Sequence, residues 1–445
     1  MDPADSQPLT RRHAFAQAWP MFFANAAIPL ASLVDTAVIG ATGDKADLGG
    51  VALGGTLFNL LYWSFYFLRM SSTGLAAQAR GAGQFDELLQ VLLRALGLGL
   101  VLGLLTLAIR HPFAALGFQV FQGTERVEAA GAVYFLTRSW GAIGAYANFA
   151  VTGWLIGVGR TRAVLAVQIA YSVTNILLDL WFVLGLGWGV AGVASATAIA
   201  DVLSAALAVW VAVRVVRRDL GIPFAVGDRA RLWDRAALGR LVTVNSDMMI
   251  RSWALLAGFA WFTNSGARLG TATLAANHVL LQIVTVWAFV LDGYAYIAEA
   301  EVGLAVGARS QEKLRRAIRV TTELAVGSGA VFMLLTLLGG PALLNWWIAD
   351  PETAAAARRF LPYCAVIPFL GAGAWQLDGI FVGMMASTAM RNASLAAVVL
   401  YIAADRLLTP SLGVHGLWLG FVLYYVARGG TLLVQYRTVE RRVTA

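Results

Sequence analysis

The chain has 445 residues, of which 59% are hydrophobic before its 46 glycines are counted, and only 13% are charged. An ordinary soluble protein has about 45–50% apolar residues with glycine included and about 25% charged, so too few charges remain here to solvate a globule of this size, and intrinsic disorder is excluded by the same numbers. The net charge of +8 comes almost wholly from arginine scattered between apolar runs, which points to membrane topology and away from a nucleic-acid partner.

A polar stretch, Met1–Gln17, precedes a first apolar run without a small-residue cleavage pattern, which reads as a spanning helix and not a removed signal. Apolar runs fall at 14–41, 49–78, 87–109, 128–157, 162–185, 190–213, 236–263, 271–300, 316–345, 360–386, 393–408 and 412–435. At roughly 20 residues per span these predict twelve transmembrane helices. Span one holds Pro20, Pro29 and Asp35, and span two holds Arg69, which either pairs with a buried acid or snorkels. Tyr134 in span four is a candidate wall of a substrate cavity. Span five carries Asn175 and Asp179, one turn apart on one face, and span six carries Thr197 and Asp201, again four apart. Span seven carries Asp247 and Arg251 in the i, i+4 order that favours a salt bridge, so a structural pair is expected there. Span eight adds His278, Asp292, Glu299 and Glu301, the last two near the interface, and span ten adds Asp378. His278 either titrates near neutral pH or is a hydrogen-bonded core residue. With Asp247 and Arg251, it joins Asp292 and Asp378 in an expected polar network of the second half, mechanical or cation-binding. Cys364 has no intrachain partner and reads as a small core residue.

Basic residues sort by side. Arg11 and Arg12, Arg80, Arg160 and Arg162, the cluster from Arg214 to Arg240, the cluster from Arg309 to Arg319, Arg391 and the C-terminal arginines all fall in alternate loops, with Arg358 and Arg359 as the exception. The positive-inside rule then places both termini in the cytoplasm of an inner membrane. Three short strings recur in order at nearly one offset: LGGVAL at Leu48–Leu53 and LGTATL at Leu269–Leu274, ARGAG at Ala79–Gly83 and AVGAR at Ala305–Arg309, GVAG at Gly189–Gly192 and GVHG at Gly413–Gly416. They imply two homologous six-helix bundles, parallel repeats over 1–216 and 236–445 joined by an arginine-rich linker at 217–235.

A charge near the bilayer centre costs about 2.5–3.5 kcal/mol on insertion scales. Asp35, Asn175, Asp179, Thr197 and Asp201 therefore form the candidate cation or proton site. Burial and mutual repulsion both disfavour the ionised form of clustered acids, and the same oxygens offer ligands to a sodium ion, most simply at Asp35, Asn175 and Asp179. The bland alternative is that each acid is paired with an arginine or capped at a helix end. Pro20 removes a helical hydrogen bond before Asp35, which makes span one either a moving part or a static bend. No phosphate loop or paired zinc spacing is present, and GxGxxG at Gly187–Gly192 lies between two apolar helices, where it reads as a tight turn. No cofactor and no catalytic residue are expected.

The strings PLASLVDTAVIG, VTNILLDL and GVASATAIAD in the first half, and VNSDMMIRSW, GARLGTATLAANHVLL, LDGYAYIAEAEVG and QLDGIFVGMMASTAMRN in the second, resemble the multidrug and toxic compound extrusion (MATE) transporters, specifically their DinF-like branch. The resemblance spans nearly the whole chain. It implies a V-shaped, twelve-helix fold of two bundles and alternating access. It further implies export of organic cations or amphiphilic compounds in exchange for protons or sodium ions. Its first-half cation or proton site carries over to Asp35, Asn175 and Asp179, with Thr197 at the matching place in span six, and its bending first helix to the stretch after Pro20. Some branches place a sodium site in the second half with a span-seven glutamate, where this chain has Asp247 beside Arg251. The expected protein is a monomeric antiporter in the lipid bilayer. The alternatives are a flippase for lipid-linked oligosaccharides, which the first-half acids disfavour, and a membrane-embedded enzyme.

Overall fold

The computed structural model describes residues 9–41, 44–121, 123–219, 221 and 234–444, with the side chains at 28–32, 219, 236–238, 240 and 442–444 outside the description. The polar start 1–8 and most of the expected linker, including Arg229 and Arg231, thus lie outside the described residues, as does the Pro29 side chain.

Among the described residues every regular element is helical. In chain order these are α1 Arg11–Gly40, α2 Lys45–Ser64, α3 Phe67–Gly81, α4 Phe85–Val120, α5 Glu125–Arg138, α6 Ala142–Gly157, α7 Thr161–Asp179 and α8 Gly189–Arg214. There follow α9 Arg235–Ala267, α10 Thr271–Gly307, α11 Gln311–Trp347, α12 Pro351–Gly383, α13 Ser387–Leu412 and α14 Val414–Thr444. α2 and α3 make one span interrupted at Phe65 and Tyr66, and α5 and α6 make another through the 3₁₀ turn Ser139–Gly141. Twelve spans result, the number that the apolar runs predict. Nine helices among the described residues are long and apolar enough to cross a membrane by length and composition.

The outer faces carry the apolar residues that a bilayer solvates: Val101 is 60% exposed and Leu338 81%. Among the described residues, three helix starts carry a side-chain cap, at Asp44, Ser310 and Asp350. Asp44 accepts from the Ala46 amide at 2.8 Å and Asp350 from the Thr353 amide at 2.8 Å. Gly187 and Gly189 take positive φ between α7 and α8, so the glycine string there is a turn.

The chain divides into two compact units, one of residues 23–80 and 84–239, the other of 240–445 with 81–83 and the residues up to Phe22. α1 is therefore shared. Its first half packs within the C-terminal unit, through Arg11 on Glu323 at 2.7 Å and Phe22 on the Tyr294 ring at 5.1 Å. The change of unit comes just after Pro20. Small residues seat the helices closely in both units. A Cβ on Gly144 would lie 2.7 Å from the backbone carbonyl carbon of Asp201, and one on Gly383 2.7 Å from the Glu299 carbonyl oxygen. The C-terminal unit closes around an aromatic core in which the Phe262 and Phe421 rings lie 4.4 Å apart and Trp418 donates to Asn277 Oδ1 at 2.9 Å. Cys364 is buried there, its thiol donating to the Leu280 carbonyl at 3.4 Å. Arg69 does not snorkel: it is buried with its guanidinium over the Tyr66 ring.

Candidate functional site

Helical register builds the site in the N-terminal unit. Tyr134 and Arg138 lie four apart on α5, Tyr171, Asn175 and Asp179 at four-residue steps on α7, and Thr197 and Asp201 four apart on α8. Residues at this spacing share a face. α7 and α8 run antiparallel and are tied where Asn175 Nδ2 donates to Thr197 Oγ1 at 3.2 Å, the threonine hydroxyl itself donating to the Val193 carbonyl at 3.0 Å. One turn back along α7, Tyr171 therefore stands level with Asp201, one turn onward along α8. The polar side chains form two layers about 6 Å apart, four residues at 1.5 Å each. With Asp35 from α1 and Tyr62 from α2, all of these but Asp179 line a cavity of about 370 Å³, a size that accepts small organic ligands.

The first layer is the acid layer. The Asp35 carboxyl lies within hydrogen-bonding reach of the Asp179 carboxyl and the Asn175 amide. Asn175 and Asp179 are wholly buried, and Asp35 is 8% exposed. Neither carboxyl oxygen of Asp179, nor Oδ1 of Asp35, nor Oδ1 of Asn175 receives a hydrogen bond from a described residue. Four buried oxygens on three residues are thus short of a partner, where buried acceptors are ordinarily satisfied. A shared proton would satisfy the carboxyl pair, and a hard cation would take the same oxygens. A π-helical turn, Leu180–Gly185, follows Asp179 directly, a local irregularity that recurs at functional positions. Tyr134 is buried and lines the cavity.

The second layer is an ion pair. Arg138 Nη1 lies 2.5 Å from Asp201 Oδ2, both residues buried, with the guanidinium 4.2 Å from the centre of the Phe58 ring. Asn148 holds the α8 backbone here by donating to the Asp201 carbonyl at 3.1 Å and accepting from Ser204 at 3.3 Å. Asp201 is thus set apart from Asp35 and Asp179, since a carboxylate beside a guanidinium already has its counter-charge. Arg138 was not visible as a site residue in the sequence. An arginine inside span four, one turn after Tyr134, was the available signal.

The expected network of the second half resolves into separate pieces. Asp247 does not pair with Arg251. Its Oδ1 accepts from Arg391 at 2.6 Å and its Oδ2 from Ser387 at 2.9 Å and Thr388 at 2.7 Å, all on α13. Arg251 instead meets Asp378 on α12 at 2.6 Å, and Arg428 of α14 donates to the same Asp378 oxygen. Partners on neighbouring helices outcompete the i, i+4 pair because they also satisfy the acids' remaining lone pairs. Asp292 lies part-buried on α10. His278 is neither in the core nor in the network: it is exposed on α10, 3.5 Å from Gln282. A third cluster was missed, in which Asp405 accepts from Trp261 and Ser265 at 2.8 Å and Thr409 at 2.6 Å. No group of three His, Cys, Asp or Glu placed to hold a metal occurs among the described residues.

Comparisons with known proteins agree with this architecture. The MatE family model matches residues 20–181 and 252–406. The chain is 35% identical to DNA damage-inducible protein F of Escherichia coli (strain K12), over 96% of this chain and 92% of that protein. It is 28% identical to the probable multidrug resistance protein NorM of Deinococcus radiodurans, over 98% and 97%. The fold is similar to an outward-facing multidrug resistance MATE family transporter of the MOP superfamily, with a TM-score of 0.88 at 19% identity, covering 98% of this chain and 97% of that one. It is also similar to a MATE crystal structure in the bent conformation, with a TM-score of 0.86 at 19% identity, covering 97% and 95%. With both halves matched by one family model and a relative at 35% identity over nearly its whole length, the chain belongs to the MatE family and is a multi-pass membrane transporter, not an enzyme.

Proposed function

We propose that the protein is a secondary antiporter that exports organic cations or amphiphilic toxic compounds, driven by ions entering through Asp35 and Asp179. The observation that carries this reading is the buried carboxyl pair, of whose four oxygens three lack donors among the described residues. Two desolvated carboxylates side by side repel, so the pair is at ease only with a proton or a metal cation between them. Asn175 and Thr197 hold the pair's surroundings in register, and Tyr134 walls the cavity. Ion uptake at Asp35 and the bend of α1 near Pro20 would be linked, so that neutralising the acids changes the cavity and releases substrate. Between the two coupling ions, the proton is favoured, because each carboxyl faces another carboxyl. Sodium at Asp35, Asn175 and Asp179 is the second reading, favoured by the free Asn175 oxygen. The protein would act as a monomer in the cytoplasmic membrane with both termini inside.

The test is transport in proteoliposomes with proton and sodium gradients imposed separately, alongside substrate-induced proton release from everted vesicles. Asp35→Asn and Asp179→Asn should each abolish coupling. Unchanged coupling in both variants would sink the site assignment.

A further inference from the structure

The Arg138 guanidinium is not spent on Asp201. The residue is 5% exposed and lines the cavity. Its Nη1 is directed at Asp201 and one face is covered by Phe58. No described residue accepts a hydrogen bond from its Nε or Nη2, so an edge of a five-donor fork is open to the cavity. Tyr62 and Tyr171 line the same cavity, and neither hydroxyl is bonded to a described residue. A buried cation and two phenols with free protons make a corner that accepts an anionic or carbonyl oxygen. Asp201 supplies the guanidinium's counter-charge and fixes its position, while the glycines at 141 and 144 let α8 approach closely enough to do so.

One turn away stands the acid layer, with Asp35 in the wall of the same cavity. The cavity is therefore two-signed over about 6 Å, one helical turn. When Asp35 is ionised, its wall carries two carboxylates and one guanidinium. A simple lipophilic cation would satisfy the acid layer and leave the Arg138 edge desolvated and unpaired, which costs binding.

We infer that this cavity is built for amphoteric substrates, organic cations that also carry a carboxylate or comparable acceptor, with the cationic group toward Asp35 and the acceptor on Arg138, Tyr62 and Tyr171. This rests on the export reading for its occupant and narrows the substrate class. Arg138 is then a specificity-determining residue, and Asp201 positions it.

Equilibrium binding to purified protein in detergent tests the inference without requiring transport. Rhodamine 110, a free acid, and rhodamine 123, its methyl ester, differ by one acceptor charge. The wild type should bind the acid about tenfold more tightly, the strength of one charge-assisted contact. The double variant Arg138→Gln, Asp201→Asn keeps the wall's charge balance, and it should lose the preference while still binding the ester. Arg138→Lys, which keeps charge but not the fork, should retain part of the preference, and it serves if the double variant does not fold. Three results overturn the proposal: no binding of the acid to wild type, an acid preference that survives both variants, or an equal loss for both dyes, which would make the pair a scaffold. Proton-coupled efflux in vesicles separates the two readings. Arg138-dependent binding without coupling sinks the antiport proposal alone, and coupling without an Arg138-dependent preference sinks this one alone.

Discussion

The two units bury acids in opposite ways. In the C-terminal unit Asp378 lies between Arg251 and Arg428, Asp247 is held by an arginine and two hydroxyls, and both Asp405 oxygens receive donors. In the N-terminal unit Asp179 is wholly buried and receives no donor from a described residue. Burying charge is costly unless it is paired and hydrogen-bonded. The satisfied acids carry their own donors and tie helices together. The unsatisfied pair is a place where an ion must come and go. Arg138–Asp201 belongs in kind with the first set, although it sits in the N-terminal unit, one turn from the exchanging pair.

That contrast breaks most visibly under truncation. Asp378→Ala leaves two buried guanidinium groups without their shared carboxylate, and loss of one partner of a buried pair costs about 3–5 kcal/mol. Thermal unfolding in detergent should show a large drop or no folded protein. Asp179→Asn should do the reverse, leaving the melting temperature unchanged or raised while substrate-induced proton release falls to background. If the two variants behave alike, the distinction between structural and exchanging acids is wrong.

A smaller effect probes the geometry that keeps the layers apart. Gly144→Ala puts a methyl 2.7 Å from the Asp201 carbonyl carbon and 2.8 Å from its oxygen, and both are backbone atoms that cannot swing away. Such overpacking costs about 1–3 kcal/mol. Because α8 carries both Thr197 and Asp201, the same change should weaken ligand binding more than a matched change at Gly97, where a Cβ would meet nothing within 4 Å. Equal effects at both glycines would detach the close approach from the site.

The acid layer was legible in the sequence because its members lie at helical spacing in apolar surroundings that make a charge conspicuous. Asn175 with Asp179, and Thr197 with Asp201, needed only the 3.6-residue period, and twelve spans needed only hydropathy. Arg138 was harder to read, since its partner lies on another helix and its one local mark is a place inside an apolar span, one turn after Tyr134. Asp247 shows the limit of local pairing rules: Arg251 stands at the favourable spacing, yet Arg391, 144 residues away, takes the carboxylate. His278 failed for a related reason. On a helix apolar nearly all round, periodicity does not say which face meets protein and which meets lipid.

The smallest expected difference lies at the helix caps, where each unit has an aspartate outside its spans. The Ala46 amide holds the Asp44 carboxyl below the ordinary aspartate range, with Arg126, 3.2 Å away, adding a weaker pull in the same direction. The Thr353 hydroxyl and then its amide do the same for Asp350, with no arginine contributing. A carboxyl whose folded value is depressed contributes fully above its unfolded value, and the contribution is lost as pH falls through the folded one. Both helix starts should therefore loosen only in acid below the ordinary aspartate range. Salt should separate them. At about 1 M the screening length is about 3 Å, so the exposed Asp44–Arg126 attraction fades while hydrogen bonds to backbone and hydroxyl persist. Carboxyl-carbon NMR titration of selectively labelled aspartate should find Asp44 moving slightly toward its ordinary value on adding salt, with Asp350 unmoved. Equal movement of both would mean that field, not capping geometry, sets the two values.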